Sequence, residues 1–342
     1  MANISEMKKK AIWIKKKVFS KLNDLNLKKY YFECAIVFLN VMLRSSILYA
    51  CETYYNLKES ELRELERIEE SFLRKMFKTS RGCPISQLYL EAGQVPARFQ
   101  AKKTRLLFLQ YILQEDPESR IYKFLSLQFK HPTRGDWASS CVQDLKDLEI
   151  NATLEEVKKL SKIQFNKILS VNVRKKAFEY LISKRGSKGQ EISYSELKMA
   201  DYLMPNLENL SIEDRRKIFE MRNRMLPISA NFPIKGDEKK CWCGENEDTK
   251  HIYHCKYWNN NEEYMNTEEY MNNENEKTTF EEIFTDNLPK LVKVFNIFED
   301  NYQKRDNYKT EQQNMQNLEK NYPSGILISD PLNIPSYFEL IT

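Results

Sequence analysis

Soft metal ligands converge in one short stretch of the sequence, Cys241-Trp-Cys-Gly-Glu-Asn-Glu-Asp-Thr-Lys-His-Ile-Tyr-His-Cys255. Three of the seven cysteines and two of the three histidines fall within these fifteen residues. Zn²⁺ prefers four tetrahedral nitrogen and sulfur ligands, and a Cys-x-Cys pair followed by a His/Cys pair offers four. A turn at Gly244 can bring the first pair round, and the His and Cys of the second pair share a helix face. The pattern predicts a structural zinc site formed by Cys241, Cys243, His251 and Cys255.

Two alternatives to this zinc site stay open. His254 is a spare imidazole that could replace His251 as the third ligand, and the cysteines could instead be reduced thiols in a polar hairpin. A catalytic zinc fits less well, because a closed site with four protein ligands leaves no position for water or substrate.

Length and composition are those of an ordinary intracellular protein. Of the 342 residues, 41% are hydrophobic and 30% charged, and only eight are glycine, which favours an all-α fold over a sheet-based nucleotide fold. The longest apolar run, Cys34 to Leu43, is well under the ~20 residues of a membrane span, and the N-terminus lacks a signal-peptide core. We expect a nuclear or cytoplasmic protein that is not secreted and has no membrane partner. Four cysteines outside the cluster are predicted to be free buried thiols: Cys34, Cys51, Cys83 and Cys141.

The net charge of +5 hides a division between a basic body and an acidic tail. Residues 1–240 hold 45 basic and 30 acidic side chains, whereas residues 241–342 hold 9 basic and 19 acidic ones. This asymmetry is typical of a body that binds a polyanion and carries an acidic extension. The alternative is that the charges only keep the helices soluble.

Apolar periodicity and capping residues predict a series of helices. The Pro84 helix should end at Gly93, and Thr153 with Glu156 should form a capping box. Six helices are predicted with both ends: Leu27–Tyr55, Ser60 (the N-cap) to Gly82, Pro96 to Asp116, Trp137–Leu148, Leu154–Lys162 and Gln164–Ser183. Two more are predicted by their starts, at Pro84 and at the Ser211/Asp214 capping box.

An ordered set of motifs runs through this helical region. It comprises Ser46-Ile-Leu-Tyr-Ala-Cys-Glu52, Glu66-Arg-Ile-Glu-Glu-Ser-Phe-Leu-Arg-Lys-Met76, Pro84-Ile-Ser-Gln-Leu-Tyr-Leu-Glu-Ala-Gly93, Pro96-Ala-Arg-Phe99, Gly135-Asp-Trp137, Ser187-Lys-Gly-Gln-Glu-Ile192, Arg222-Asn-Arg-Met225 and the Cys241 cluster. Together they resemble the region that follows the polymerase core in LINE-type non-LTR retrotransposon reverse transcriptases, over roughly residues 20–258. Two departures are Ala50, where the family usually has Gly, and a zinc motif with one residue fewer between its His and last Cys.

The resemblance implies a multi-helix, thumb-like bundle followed by a helical linker and a small zinc knuckle. The low apolar content after Asp300 and the prolines at 323, 331 and 335 predict in addition a poorly ordered acidic tail. The predicted regions are a thumb-like part (1–117), a basic helical linker (118–200), a helix with the knuckle (201–258), and an Asn/Glu-rich tail (259–342) with one possible helix at 280–298.

Neither catalytic signature of that family is present. The polymerase palm carries paired aspartates that hold two Mg²⁺ ions, and the sequence has no two adjacent Asp residues. Relatives with a nuclease carry a Pro-Asp dipeptide, and the sequence has none. We therefore expect no enzymatic activity, as in a truncated or separately expressed C-terminal piece of an RNA-directed DNA polymerase.

The basic body predicts binding to nucleic acid, whether RNA, DNA or hybrid duplex, through its shape and phosphate backbone. Phe178 and Tyr180 lie beside a basic stripe and could stack on bases, although aromatics at helical spacing are more often core. The alternative is a protein-interaction module or an inert remnant, and a protein partner could bind the acidic tail. The predicted phosphate contacts lie opposite the leucines of the Pro96 helix and on the linker: Arg98, Lys102, Lys103 and Arg105, supported by Arg174, Lys175 and Lys176.

Replacing the predicted ligands tests the zinc site. Metal analysis of the purified protein should find about one Zn²⁺ per chain, and Cys243→Ser or His251→Ala should lower both the zinc content and the thermal stability. His254→Ala should change them less, and the opposite ranking would make His254 the third ligand. Unchanged zinc content in all three variants would leave only the reduced-thiol interpretation.

Overall fold

The structure, a computed structural model, describes residues 4–25, 27–53, 58–79, 83–133, 135–185, 194–205 and 210–223, together with Met225 and Val292. Within these residues the regular elements are helices, and the extended pairing is an isolated antiparallel bridge between Ala92 and Met199. The all-α prediction is confirmed for this part of the chain. None of the helices found there is both long and apolar enough to cross a bilayer.

Most of the helices follow one another with short connections, and the longest connection separates the last two α-helices. The α-helices are α1 (Ile4–Asp24), α2 (Tyr31–Phe38), α3 (Ser45–Ile47), α4 (Glu59–Phe77), α5 (Ile85–Glu91), α6 (Ala97–Gln114), α7 (Arg120–Lys130), α8 (Trp137–Asp147), α9 (Leu154–Lys159), α10 (Lys162–Ser183) and α11 (Ile212–Arg222). A π-helical stretch (Leu39–Arg44) joins α2 to α3, and 3₁₀ turns occupy Lys28–Tyr30, Cys51–Thr53 and Asp201–Leu203.

Local capping chemistry fixes several helix starts as predicted. Thr153 and Glu156 form a capping box at α9, and Ser211 with Asp214 forms one at α11. Pro84 and Pro96 occupy the N-cap positions of α5 and α6. After α5 the chain turns at Gly93, whose φ is +62° and where a Cβ atom would lie 2.1 Å from the backbone nitrogen of Met199. Only glycine fits there.

Three predicted helices are wrong in detail. The helix predicted over Leu154–Lys162 ends at Lys159, and Ser161 caps the next helix, which begins at Lys162. The segment Leu27–Tyr55 is not one α-helix, because the backbone widens into the π-helical stretch and Ala50 then takes a left-handed φ of 57°. The second helix is capped by Lys58 rather than Ser60, since the Glu61 carboxylate accepts the Lys58 backbone N–H at 2.8 Å. It ends at Phe77, where Lys78 adopts a left-handed conformation.

Helix α6 lies at the centre of the body and packs against α4, α8, α9 and α10, with α7 also in contact. Leu106, Leu109, Ile112 and Leu113 of α6 are buried, as the predicted apolar side of this helix requires. Helix α1 covers α2, α3 and α4, with the Phe19 and Phe72 ring centroids 4.9 Å apart. On the other side of α4, Phe77 stacks on Phe219 of α11 at 4.1 Å. The apolar core thus extends from α1 through α4 to α11.

A buried carboxylate joins four elements of this core. Glu69 of α4 is fully buried and accepts hydrogen bonds from Arg44 Nε at 2.6 Å, Tyr89 Oη at 2.7 Å and the Ala97 backbone N–H at 2.9 Å. Arg44 also donates to the Val95 carbonyl oxygen at 2.6 Å. Four elements therefore meet at this one charge: the π-helical stretch, α4, α5 and the start of α6. We term the residues that form these contacts, Arg44, Glu69, Tyr89, Val95 and Ala97, the Glu69 network.

The prediction of free buried thiols holds for three of its four cysteines. Cys51, Cys83 and Cys141 are buried free thiols, and Cys34 is a free thiol that is half-buried. Burial raises the pKa of the Cys51 thiol to about 11 and that of Cys83 to about 12, so neither forms a thiolate readily at neutral pH. Cys241, Cys243, His251 and Cys255 lie outside the described residues, as does the predicted helix at 280–298.

Removing Arg44 should destabilise the fold far more than removing a surface arginine. Arg44→Ala leaves the Glu69 carboxylate buried without its cation, at a cost of about 3–5 kcal/mol in the free energy of unfolding. Arg63→Ala breaks an exposed pair with Glu59 on the same helix as Glu69, and should change it by no more than ~1 kcal/mol. Urea unfolding followed by far-ultraviolet circular dichroism measures both, and equal losses would contradict the central role of the network.

Candidate nucleic-acid interface

Two arginines predicted to bind phosphate lie inside the body. Arg98 donates to Glu66 Oε2 at 2.8 Å and to Glu59 Oε1 at 3.0 Å, and its side chain is only 11% exposed. Arg105 donates to Asp144 Oδ2 at 2.7 Å and is buried. The expectation that α6 turns its cations to solvent opposite its leucines is wrong for these two residues, because neighbouring helices cover α6 on several sides and bring carboxylates to them.

The two lysines of α6 also have partners within the fold. Lys102 forms ion pairs with Asp147 and, at 3.5 Å, with Asp144, and its side chain is 20% exposed. Lys103 donates to Ser170 Oγ at 2.8 Å, and partial burial lowers the pKa of its ammonium group. These contacts tie α6 to α8 and α10.

The α10 cations are closer to solvent and still engaged. Arg174 donates to the Leu197 carbonyl oxygen. Lys175 and Lys176 both pair with Glu149, which follows α8, and the Lys175 distance is 2.9 Å. Each of the seven predicted contact residues therefore makes an intramolecular hydrogen bond or ion pair. Of these, Lys175 has a side chain that is 56% exposed in a surface pair, the kind that a phosphate can displace at small cost.

Tyr180 is held by the protein itself rather than presented to a ligand. The Arg98 guanidinium lies 4.7 Å from its ring centroid, and Phe99 meets the ring edge-on at 5.6 Å. Tyr180 lines a groove of about 440 Å³ between α4, α5 and α10. The groove is also lined by two acidic side chains, Glu59 and Glu66, and three basic ones, Arg63, Arg67 and Lys184.

Unpaired positive charge is concentrated instead on α1, which contains seven lysines and two acidic residues. Lys8 pairs with Glu64 and Lys15 donates to Ser71, so these two face the body. Five exposed lysines have no carboxylate within 4 Å among the described residues and form what we term the lysine face: Lys9, Lys10, Lys16, Lys17 and Lys21.

The spacing of the apolar residues in α1 indicates this lysine face, and the sequence-based predictions missed it. Ala11, Ile14, Val18 and Leu22 recur at three- and four-residue spacing, and all four are buried against the body. An amphipathic helix whose apolar side is docked must turn its lysines outward. The exposed side also carries Trp13, whose ring centroid lies 4.0 Å from Lys17 Nζ.

Neither a metal site nor a comparison with known proteins adds to this description of the interface. Among them, no group of three or more His, Cys, Asp or Glu side chains could hold a metal ion. No protein-family model, curated protein or solved structure matches the chain.

Arg98→Ala should destabilise the protein in a pH-dependent way. Burial raises the pKa of the Glu66 carboxyl above its ordinary value even with Arg98 beside it, and losing that cation raises it further. Above the ordinary Glu pKa of about 4.3, the Glu66 carboxyl of the folded variant keeps a proton that the unfolded chain has released. The free energy of unfolding of the variant therefore falls as pH rises above this value. We expect a loss on the order of 3 kcal/mol at neutral pH, and a smaller loss near pH 4.5, in urea unfolding.

A second substitution provides the control for this effect. Glu66→Gln in the Arg98→Ala background removes the titrating group, so the extra dependence on pH should disappear. If Arg98→Ala leaves stability unchanged and instead weakens nucleic-acid binding, Arg98 is a contact residue as the sequence predicted.

Proposed function

We propose that the chain is a non-catalytic nucleic-acid-binding protein, similar to the C-terminal region of a non-LTR retrotransposon reverse transcriptase. Its helical body binds the phosphate backbone of RNA, DNA or a hybrid duplex, and a structural Zn²⁺ site formed by Cys241, Cys243, His251 and Cys255 stabilises a small knuckle. The proposal places the protein inside the cell, in the nucleus or cytoplasm.

The lysine face of α1 is the observation that carries this proposal. Its five ammonium groups are exposed, lie on one helix, and have no carboxylate partner among the described residues. Lysines about one turn apart on a helix are roughly 5–6 Å from each other, so several can reach one phosphate backbone. Exposed cations with no internal partner keep their full charge available for a polyanion.

The α6 and α10 residues predicted from the sequence have a weaker claim. Lys175 is exposed and could exchange Glu149 for a phosphate, but Arg98 and Arg105 would have to abandon buried carboxylates. Leaving such carboxylates uncompensated costs several kcal/mol, which exceeds the gain from one phosphate contact. Geometry therefore favours α1 as the main contact, with Lys175 in support.

An exposed apolar pair on α7 favours a second candidate, binding to another protein. Phe124 and Leu127 are 62% and 57% exposed, and Leu125 is the buried residue of that helix. A protein-interaction module with a merely solvated basic face would use such a surface and would show no salt-dependent binding to nucleic acid.

Removing charge from the lysine face should weaken binding and its dependence on salt. The triple variant Lys9→Gln, Lys16→Gln and Lys17→Gln keeps helix propensity and should flatten the slope of log affinity against log salt by about two to three contacts, at ~0.7–0.9 each. Fluorescence anisotropy with an RNA strand, a DNA duplex and a hybrid duplex, between about 50 and 300 mM salt, measures this slope.

The matched control removes the same charge from another part of the surface. Lys130, Lys146 and Lys159 are exposed lysines on or beside α7, α8 and α9, and their replacement by Gln should change the slope by less than one contact. Equal effects of the two triple variants would mean that net charge alone drives binding. No binding to any of the three nucleic acids at low salt would refute the proposal and leave the protein-interaction candidate.

A further inference from the structure

Trp13 is an exposed indole in the middle of the lysine face. It is 54% exposed and its neighbour Ile12 is 51% exposed, although α1 has a buried side ready to accept apolar residues. A large aromatic side chain that is more than half exposed leaves part of its apolar surface available for contact with a ligand. An exposed aromatic beside cations is the combination that nucleic-acid and membrane surfaces recognise.

Four lysines surround this indole at helical spacing. Lys9 and Lys10 precede Trp13 by one turn, and Lys16 and Lys17 follow it by one turn, so all four reach the same neighbourhood. Lys17 Nζ lies 4.0 Å from the ring centroid, a cation–π contact that orients the indole. More than half of Trp13 stays exposed despite that contact, which leaves aromatic surface for a ligand.

A planar π-surface flanked by cations fits an unpaired nucleotide better than a duplex. Bases in a duplex are stacked on each other and hidden behind two backbones, so a duplex could contact only the lysines. An unpaired strand can place a base on the indole while its phosphates meet the neighbouring ammonium groups, and each stacked base contributes about 1–3 kcal/mol.

A bilayer is a poorer fit to the same surface. An interfacial helix inserts a broad apolar face into the lipid, but the apolar face of α1 is already packed on the body through residues such as Phe19 and Val18. Among the α1 side chains that the structure describes, the large exposed hydrophobic ones are Ile12 and Trp13. The proposed ligand is therefore nucleic acid.

We propose that Trp13 is a stacking platform for an unpaired base, and that Lys9, Lys10, Lys16 and Lys17 hold the phosphates on either side of it. The α1 surface then prefers single strands to duplexes without reading a particular sequence. This inference rests on the proposed nucleic-acid function and specifies the form of nucleic acid that this surface takes.

Replacing Trp13 in the full chain tests the inference. Trp13→Ala should weaken binding to a single-stranded RNA or DNA homopolymer by about 5- to 100-fold, and binding to a duplex of equal length by less than about 2-fold. The salt slope should not change, because no charge is removed. Trp13→Phe should retain most of the single-strand affinity, because phenylalanine also stacks.

Two further measurements serve as controls for the role of Trp13. Phe124→Ala removes an exposed aromatic from α7 and should leave single-strand binding unchanged. Single-stranded oligonucleotide should quench a component of the tryptophan fluorescence that is missing in Trp13→Phe. Because Trp13 is exposed, the unfolding midpoints of its variants should match that of the unmodified protein.

The failure of this inference differs from the failure of the proposed function. If the Lys9, Lys16 and Lys17 variant loses affinity while Trp13→Ala binds single strands normally, the stacking platform is refuted and the proposed function stands. If single strands and duplexes both fail to bind at low salt, the proposed function falls as well. If Trp13→Ala loses binding only to vesicles of anionic phospholipid, the surface is a membrane contact and the inference is overturned.

Discussion

The buried carboxylate of Glu69 is the constraint on which the arrangement of the other helices depends. A charge with no solvent exposure must be compensated completely, and its three partners come from the π-helical stretch, from α5 and from the first residue of α6. The Ala97 N–H is one of the donors that every helix start leaves without an intrahelical partner, and a carboxylate there also suits the helix dipole. The Glu69 network therefore fixes where α6 begins relative to α4.

Placing α6 at the centre determines which cations can meet a ligand. Since α4, α8 and α10 all lie against it, its arginines and lysines reach carboxylates and a hydroxyl of those helices before they reach solvent. The same cations that raise the net charge of the body thus join its helices to one another. The exposed lysines without a carboxylate partner lie instead on α1, whose lysine face has no helix over it among the described residues.

The features predicted correctly from sequence are those set by local chemistry. Thr153 with Glu156, Ser211 with Asp214, and the residues Pro84 and Gly93 act within a few positions of themselves, so their consequences can be read directly. The π-helical stretch and the left-handed Ala50 have no such local signal in the sequence, and Arg44 at the end of that stretch meets Glu69 of another helix. Ala50, which stands where the resembled family usually has glycine, occupies a left-handed turn that glycine adopts without strain. The inward direction of Arg98 and Arg105 likewise depends on carboxylates that are distant in sequence.

Helix α1 carries many lysines close together, and most of them have no carboxylate partner among the described residues. Lys17 and Lys21 are four residues apart on the same helix, a like-charge spacing that costs roughly 0.2–0.5 kcal/mol in an isolated helix. The docked apolar side offsets this repulsion, so α1 persists without a counterion. A phosphate backbone laid along the lysine face would remove the repulsion, and a ligand that binds only the folded form stabilises it. Under the proposed function the stability of α1 and its affinity for a polyanion are coupled with the same sign, whereas lysines that serve only solubility would show no such coupling.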